Sequence, residues 1–110
     1  MKKKNRVRKA QEFQSLIHTG EKKANQSFVL YSKPKKEGEA RIGITLPRKI
    51  GNAVERNLIK RQVRMMCQDL IDFTEASYDV ILIVRFGYKE NSFAKNKNNL
   101  EKLLLKAKIK

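Results

Sequence analysis

One cysteine, one histidine and 11 acidic residues are all that this 110-residue chain offers to the commoner protein chemistries. Cys67 alone cannot close an intrachain disulfide, and a single thiol has no metal-site spacing, so the cysteine content reads as a reduced, cytoplasmic setting. His18 reads as an exposed spectator. The carboxylates are scattered among lysines without a convergent pair, so no metal site of the protein's own and no self-sufficient hydrolytic centre is expected. Long apolar runs are missing too. The longest, Val80 to Val84, falls far short of the roughly 20 residues that span a bilayer. Met1 to Glu12 is almost wholly polar and has no apolar region behind its positive charges, so neither a signal peptide nor membrane residence is expected.

What the chain has in excess is positive charge. With 26 Lys and Arg its formal net charge is +15. Such a chain repels itself, and a polyanion relieves the repulsion: each phosphate it neutralises releases counterions, which gives affinity that does not depend on sequence. At 40% apolar the chain suits one domain with a modest core, over residues 1–110. Residues 1–8 read as a basic arm too polar to pack.

Periodicity places the elements. Phe13, Leu16 and Ile17 followed by Gly20 predict a short amphipathic helix with a glycine stop. Ser27 to Tyr31 predicts a strand with Phe28 and Leu30 on one face and Val29 and Tyr31 on the other. Lys33 to Glu39, with Pro34 and Gly38, predicts a loop. Arg41 to Leu46 alternates again, with Ile42, Ile44 and Leu46 inward. Pro47 and Gly51 break the chain before a long helix from about Asn52 to Asp72. Tyr78 to Arg85 does not alternate, which predicts a central strand covered on both faces. Leu100, Leu103, Leu104 and Ala107 predict a lysine-rich final helix beginning near Ser92. The order helix, strands, helix, strand, helix implies a small α+β fold with a mixed β-sheet packed against helices, and strand-helix-strand around the long helix implies parallel neighbours.

The long helix carries the functional signal. Arg56, Lys60 and Arg64 recur at i, i+4, i+8 with Asn57 and Arg61 beside them, while Glu55, Gln62 and Asp69 fall on the opposite side and Ile59, Val63, Met66 and Leu70 form an apolar stripe. A helix needing charge only for solubility interleaves signs for i,i+4 support; a one-sign arc points to a polyanion. Anions are also expected at the helix start, around Gly51 and Asn52, where backbone N–H groups lack helical partners.

The string Lys49-Ile-Gly-Asn-Ala-Val-Glu-Arg-Asn-Leu-Ile-Lys-Arg-Gln-Val-Arg64 resembles the signature of the protein subunit of bacterial ribonuclease P. The likeness extends to the basic start before Phe13, the Ala24 to Tyr31 block, the Arg41-Ile42-Gly43-Ile44 strand and the Ile/Val strand after the helix. It implies a protein that binds a large catalytic RNA and assists removal of the 5′ leader from precursor transfer RNA, with the reaction centre and its Mg2+ held mainly by the RNA. It implies that Lys49, Arg56, Asn57, Lys60, Arg61 and Arg64 face RNA, and that the leader lies between the first helix and the sheet, over Phe13, Val29 and Tyr31. It also implies a left-handed crossover around the basic helix, against the right-handed rule of about 98% of such units. Leu58 stands where the signature has a second basic residue, and Ile17 where many members have a second aromatic.

Two other classes compete with this reading. A ribosomal or other structural RNA-binding protein shares the charge, and the Lys49 to Arg64 signature is what separates the two. A self-sufficient nuclease would need the convergent carboxylates that are missing. Within the cleft, Tyr31 is the better placed aromatic, opposite the Phe28 and Leu30 face with a hydroxyl that can stay wet. Phe13 has core spacing.

Overall fold

The computed structural model describes residues 2 to 109. It contains helices α1 (Ala10–Thr19), α2 (Ala53–Leu70) and α3 (Phe93–Lys106) and strands β1 (Glu21–Ala24), β2 (Phe28–Pro34), β3 (Arg41–Thr45) and β4 (Tyr78–Val84). The sheet order is β1-β2-β4-β3. β2 is antiparallel to both its neighbours, and β3 is parallel to β4 with α2 as the connection. This is the expected α+β fold with a mixed sheet. β1 escaped the sequence reading because its Glu-Lys-Lys-Ala composition has no β signal; charge is how an edge strand discourages pairing with another chain.

Alternation divides the sheet into two faces. Phe28, Leu30, Ile42, Val80, Leu82 and Val84 are buried against Ile59, Val63 and Met66 of α2 and Leu100, Leu103 and Leu104 of α3. On the other face Ile81 is buried with Leu16 and Val7, and Phe13, Tyr31 and Ile83 pack around them. β4 is therefore covered on both sides, as its unbroken Val-Ile-Leu-Ile-Val requires.

Two glycines are set by close approach. Gly20 ends α1 at φ −76°, outside the left-handed region, and its N–H donates to the Leu16 carbonyl at 2.7 Å. A Cβ there would lie 2.5 Å from that oxygen. At Gly43 a Cβ would come within 2.6 Å of the Phe13 ring, so this glycine lets α1 settle onto β3.

The N-terminal segment corrects the expected free arm. Asn5 and Val7 are buried, the Val7 N–H donates to the Ile42 carbonyl at 3.0 Å, and Arg6 forms a parallel bridge with Ile42. Asn5 Nδ2 donates to the Ala40 carbonyl at 2.9 Å. Edge pairing to β3 and one apolar side chain outweigh the polarity of the stretch.

An ion-pair network fastens α1 to the sheet. Arg41 on β3 donates from Nε and Nη2 to both Asp79 oxygens at 3.0 and 2.9 Å, and from Nη2 to Glu12 of α1 at 2.7 Å. Lys35 approaches Asp79 at 3.5 Å. Burial alone would raise the Asp79 carboxyl, but its bonds to Arg41 and the charges of Arg41 and Lys35 outweigh that and hold it below the usual range. A carboxyl lowered from about 3.9 gives stability that is complete above that unfolded value and is lost as pH falls through the folded one. Asp79→Asn is thus expected to cost on the order of 1–3 kcal/mol at pH 7 and progressively less as the medium is acidified. Urea unfolding at pH 7 and at a pH below the usual carboxylate range measures both, and an equal loss at the two would contradict the network.

Candidate nucleic-acid interface

Everything about α2 is set at its start and along its buried stripe. Asn52 accepts from the Glu55 N–H at 2.9 Å while Glu55 Oε1 accepts from the Asn52 N–H at 3.1 Å, a complete capping box. A Cβ on Gly51 would stand 2.9 Å from Glu55 Cβ, so glycine is what admits the box. This corrects the expected anion site at Gly51 and Asn52: a carboxylate of the chain already occupies the helix start. The Glu55 carboxyl is held below its usual range by the Asn52 N–H, then by Lys89. Val63, Met66 and Cys67 have no exposed surface and fix the rotation of the helix. Burial pushes the Cys67 thiol up to about 12, which leaves it a neutral core group.

The side of α2 away from the basic arc is engaged inside the protein. Glu55 pairs with Lys89 at 3.1 Å, Gln62 accepts from the Tyr88 hydroxyl at 2.8 Å, and Asp69 pairs with Lys97 of α3 at 3.0 Å. The basic side is different. Asn57, Lys60, Arg61 and Arg64, with Val54 and Leu58, line a concavity of ≈ 600 Å3, and among the described residues no ion pair or side-chain hydrogen bond engages Lys60, Arg61 or Arg64. Lys49 is exposed and likewise unpaired just before the helix. Arg56 stands apart from the rest of its row. Its Nη1 donates to the Gly51 carbonyl at 2.8 Å and more distantly to that of Arg48 at 3.4 Å, so its guanidinium braces the loop as well as facing outward. Leu58 is exposed in the middle of the arc.

The second candidate site follows from where α1 stops. Strand register puts Lys22, Tyr31, Ile81 and Gly43 in one row across the sheet, and Ala24, Val29, Ile83 and Thr45 in the next row on the same face. Phe13 lies on the first row, against Gly43 and Ile81. The second row is less covered: Ile83 packs at the margin of the Leu16 cluster, and Val29, Ile83 and Thr45 all keep some exposed surface. Phe13 of α1 and Tyr31 of β2 therefore form one wall of an open strip floored by Val29. Phe13 is both core and wall. Ile17, on the same helix, is half-buried.

The two candidate sites meet at the outer edge of β3, beside the N-terminal segment that pairs with it. Arg64 of α2 and Phe13 of α1 border one concavity of ≈ 300 Å3, together with Arg8 and Ile44. The sequence reading had placed them in separate sites, because nothing in the spacing says that helices on opposite faces approach each other around an edge strand. It also missed Phe86, which lies at the far end of the open strip; an aromatic just past a strand and before a glycine was the available signal.

Among the described residues no group of three or more His, Cys, Asp or Glu side chains could hold a metal ion. Glu12, Glu21, Glu39, Glu55, Asp69 and Asp79 are instead tied to Lys or Arg.

Unpaired guanidinium groups on a rigid helix predict anion binding to the native state. A ligand at a hundredfold excess over Kd stabilises by about 2.7 kcal/mol. Sulfate at matched ionic strength is expected to raise the thermal midpoint of the native chain and to raise that of an Arg61→Ala, Arg64→Ala double variant less. The same rise in both proteins would place the anion elsewhere.

The chain is similar to known proteins along nearly its whole length. A family model described as Ribonuclease P matches residues 1–108. The ribonuclease P protein component of Mesoplasma florum is 44% identical over 107 residues, covering 96% of this chain and 97% of that protein. The structure of the Staphylococcus aureus RNase P protein superposes with a TM-score of 0.83 at 35% identity, covering 96% of each chain. That of Thermotoga maritima does so with a TM-score of 0.77 at 26% identity, covering 90% of this chain and 94% of the other. On this agreement of sequence, fold and charge, the chain belongs to the bacterial ribonuclease P protein family, the protein component of a ribonuclease that processes transfer RNA.

Proposed function

We propose that the protein acts in a division of labour in which the Lys60, Arg61 and Arg64 side of α2, extended by Lys49, Arg56 and Asn57, holds the catalytic RNA, while the strip beside α1 holds the 5′ leader of precursor transfer RNA. The observation that carries this is the partition of α2. Its Glu55, Gln62 and Asp69 side is bonded within the chain, while Lys60, Arg61 and Arg64 are left without partners among the described residues. Phosphates are what such cations neutralise with a gain in counterion entropy.

The strip suits a single strand. An apolar floor at Val29 and Ile83 with aromatic rings at its wall offers contact to unpaired bases whatever their identity, and the cations around it offer contact to the backbone. Arg64, at the junction of the two sites, is placed to touch RNA at either. The protein thereby orients the leader relative to the RNA subunit, which supplies the reaction centre. Magnesium would belong to that centre, held mainly by RNA. Among the described residues no donor set fits a metal, and the part we assign to this chain is to bind, orient and screen charge. The setting we assign is the cytoplasm. Among the described residues no helix is long and apolar enough to cross a membrane.

Reconstitution tests the proposal. Mixed with a bacterial ribonuclease P RNA in modest magnesium, the chain is expected to stimulate 5′ cleavage of a precursor transfer RNA; no stimulation would contradict it. Two variants separate the sites. Arg61→Glu should weaken binding to the catalytic RNA and reduce the slope of log affinity against log salt by about 1 to 2 units, at roughly 0.9 or less per phosphate. An unchanged slope would remove Arg61 from the interface. Tyr31→Ala should weaken holoenzyme binding to precursor by about 1 to 3 kcal/mol while sparing mature transfer RNA. Equal losses on both would make Tyr31 a structural residue.

A further inference from the structure

The open strip does not end at Ile83. It runs on into a concavity of ≈ 370 Å3 bordered by Gln26, Pro47, Arg85 and Phe86. Phe86 is 55% exposed. Its neighbours on either side are fixed. The Arg85 N–H donates to the Ser27 carbonyl and Arg85 Nη1 to the Asn25 carbonyl, both at 2.9 Å. Gly87 is pressed against the β1–β2 turn, where a Cβ would lie 2.5 Å from the Gln26 carbonyl oxygen. Tyr88 is buried edge-on to Phe28 with ring centroids 5.7 Å apart, and Lys89 Nζ donates to the Ile50 carbonyl at 2.9 Å. The turn Phe86–Glu90 is held from several directions, and Phe86 is the side chain within it that leaves a large apolar ring in solvent.

Charge narrows what such a ring receives. Arg85 keeps its remaining N–H groups without a partner among the described residues, and Arg48, exposed and unpaired by its side chain, follows Pro47 directly. The Glu90 carboxylate in this region reaches Gln26 Nε2 at 3.5 Å. An exposed ring beside a groove with unpaired cations matches a nucleobase with its phosphate.

We infer that Phe86 is a second stacking platform for the precursor leader, taking an unpaired base farther along the strip than the nucleotide against Tyr31, with Arg85 beside its phosphate. The inference rests on the leader reading given above. Ile81, the register partner of Tyr31, is five residues before Phe86, up to about 17 Å at roughly 3.3 Å per residue, so the two rings serve different nucleotides.

The test is holoenzyme affinity for precursors of increasing leader length and for mature transfer RNA, with Phe86→Ala, Phe86→Leu, Phe86→Tyr and Tyr31→Ala compared. Phe86→Ala is expected to lower affinity roughly five- to a hundredfold, and only for leaders longer than those at which Tyr31→Ala begins to act. Phe86→Tyr should retain most of the affinity and Phe86→Leu should not. If Phe86→Ala acts equally on mature transfer RNA, or on no leader, while Tyr31→Ala keeps its leader dependence, Phe86 is no subsite and this inference alone falls. If neither variant distinguishes precursor from mature species, the cleft reading falls with it.

Discussion

The rotation of α2 about its own axis is the constraint on which the rest depends. Val63, Met66 and Cys67 have no exposed surface, and Ile59 and Met66 sit among the buried residues of β2, β4 and α3. A turn of the helix by one residue would place Arg64 or Gln62 where Val63 is, and burying an unpaired guanidinium costs far more than the core could return. Packing therefore decides which way the cations point. The capping box fixes the axial position as well, since Glu55 can reach Asn52 in one register only.

Once α2 is fixed, the polar residues of its far side find partners in the turn Phe86–Glu90 and in α3. Tyr88 links the two: its ring meets Phe28 of the sheet and its hydroxyl meets Gln62. Burial pushes that hydroxyl up to about 12, which keeps it protonated as the donor to Gln62. The same turn ends the open strip on the other face, so one short segment relates the two proposed RNA-facing surfaces mechanically. α1 completes the arrangement from the opposite side. It is held by Glu12 on Arg41 and by Phe13 on Gly43, and because it is only ten residues long it leaves the Val29, Ile83 and Thr45 row open.

The sequence carried the helices and the buried strands because their apolar periods are long and their stops are chemically distinct. Asn52 and Ser92 both act as caps where helix starts were read, and Leu100, Leu103, Leu104 and Ala107 are all buried. β1 and the docking of Asn5 and Val7 were illegible, since both depend on backbone pairing to an edge that exists only after the sheet forms. The basic arc was legible as a direction of charge, whereas the bracing role of Arg56 depends on the course of the loop before α2. Val29 and Tyr31 were legible as one strand face. That the face is half covered, with its uncovered row running toward Phe86, depends on strand register and on the length of α1.

The buried, proton-holding thiol of Cys67 allows a direct measurement, because a cysteine introduced on the surface can be labelled selectively. A photoactivatable crosslinker would be placed in turn at Thr45→Cys in the open row, at Lys60→Cys on the basic arc and at Leu105→Cys on the exposed side of α3, and the holoenzyme irradiated with precursor transfer RNA. The first probe is expected to mark the leader, the second the catalytic RNA, and the third neither above background. Leader crosslinks as strong from position 105 as from position 45, or leader crosslinks absent from position 45, would contradict the assignment of the two faces.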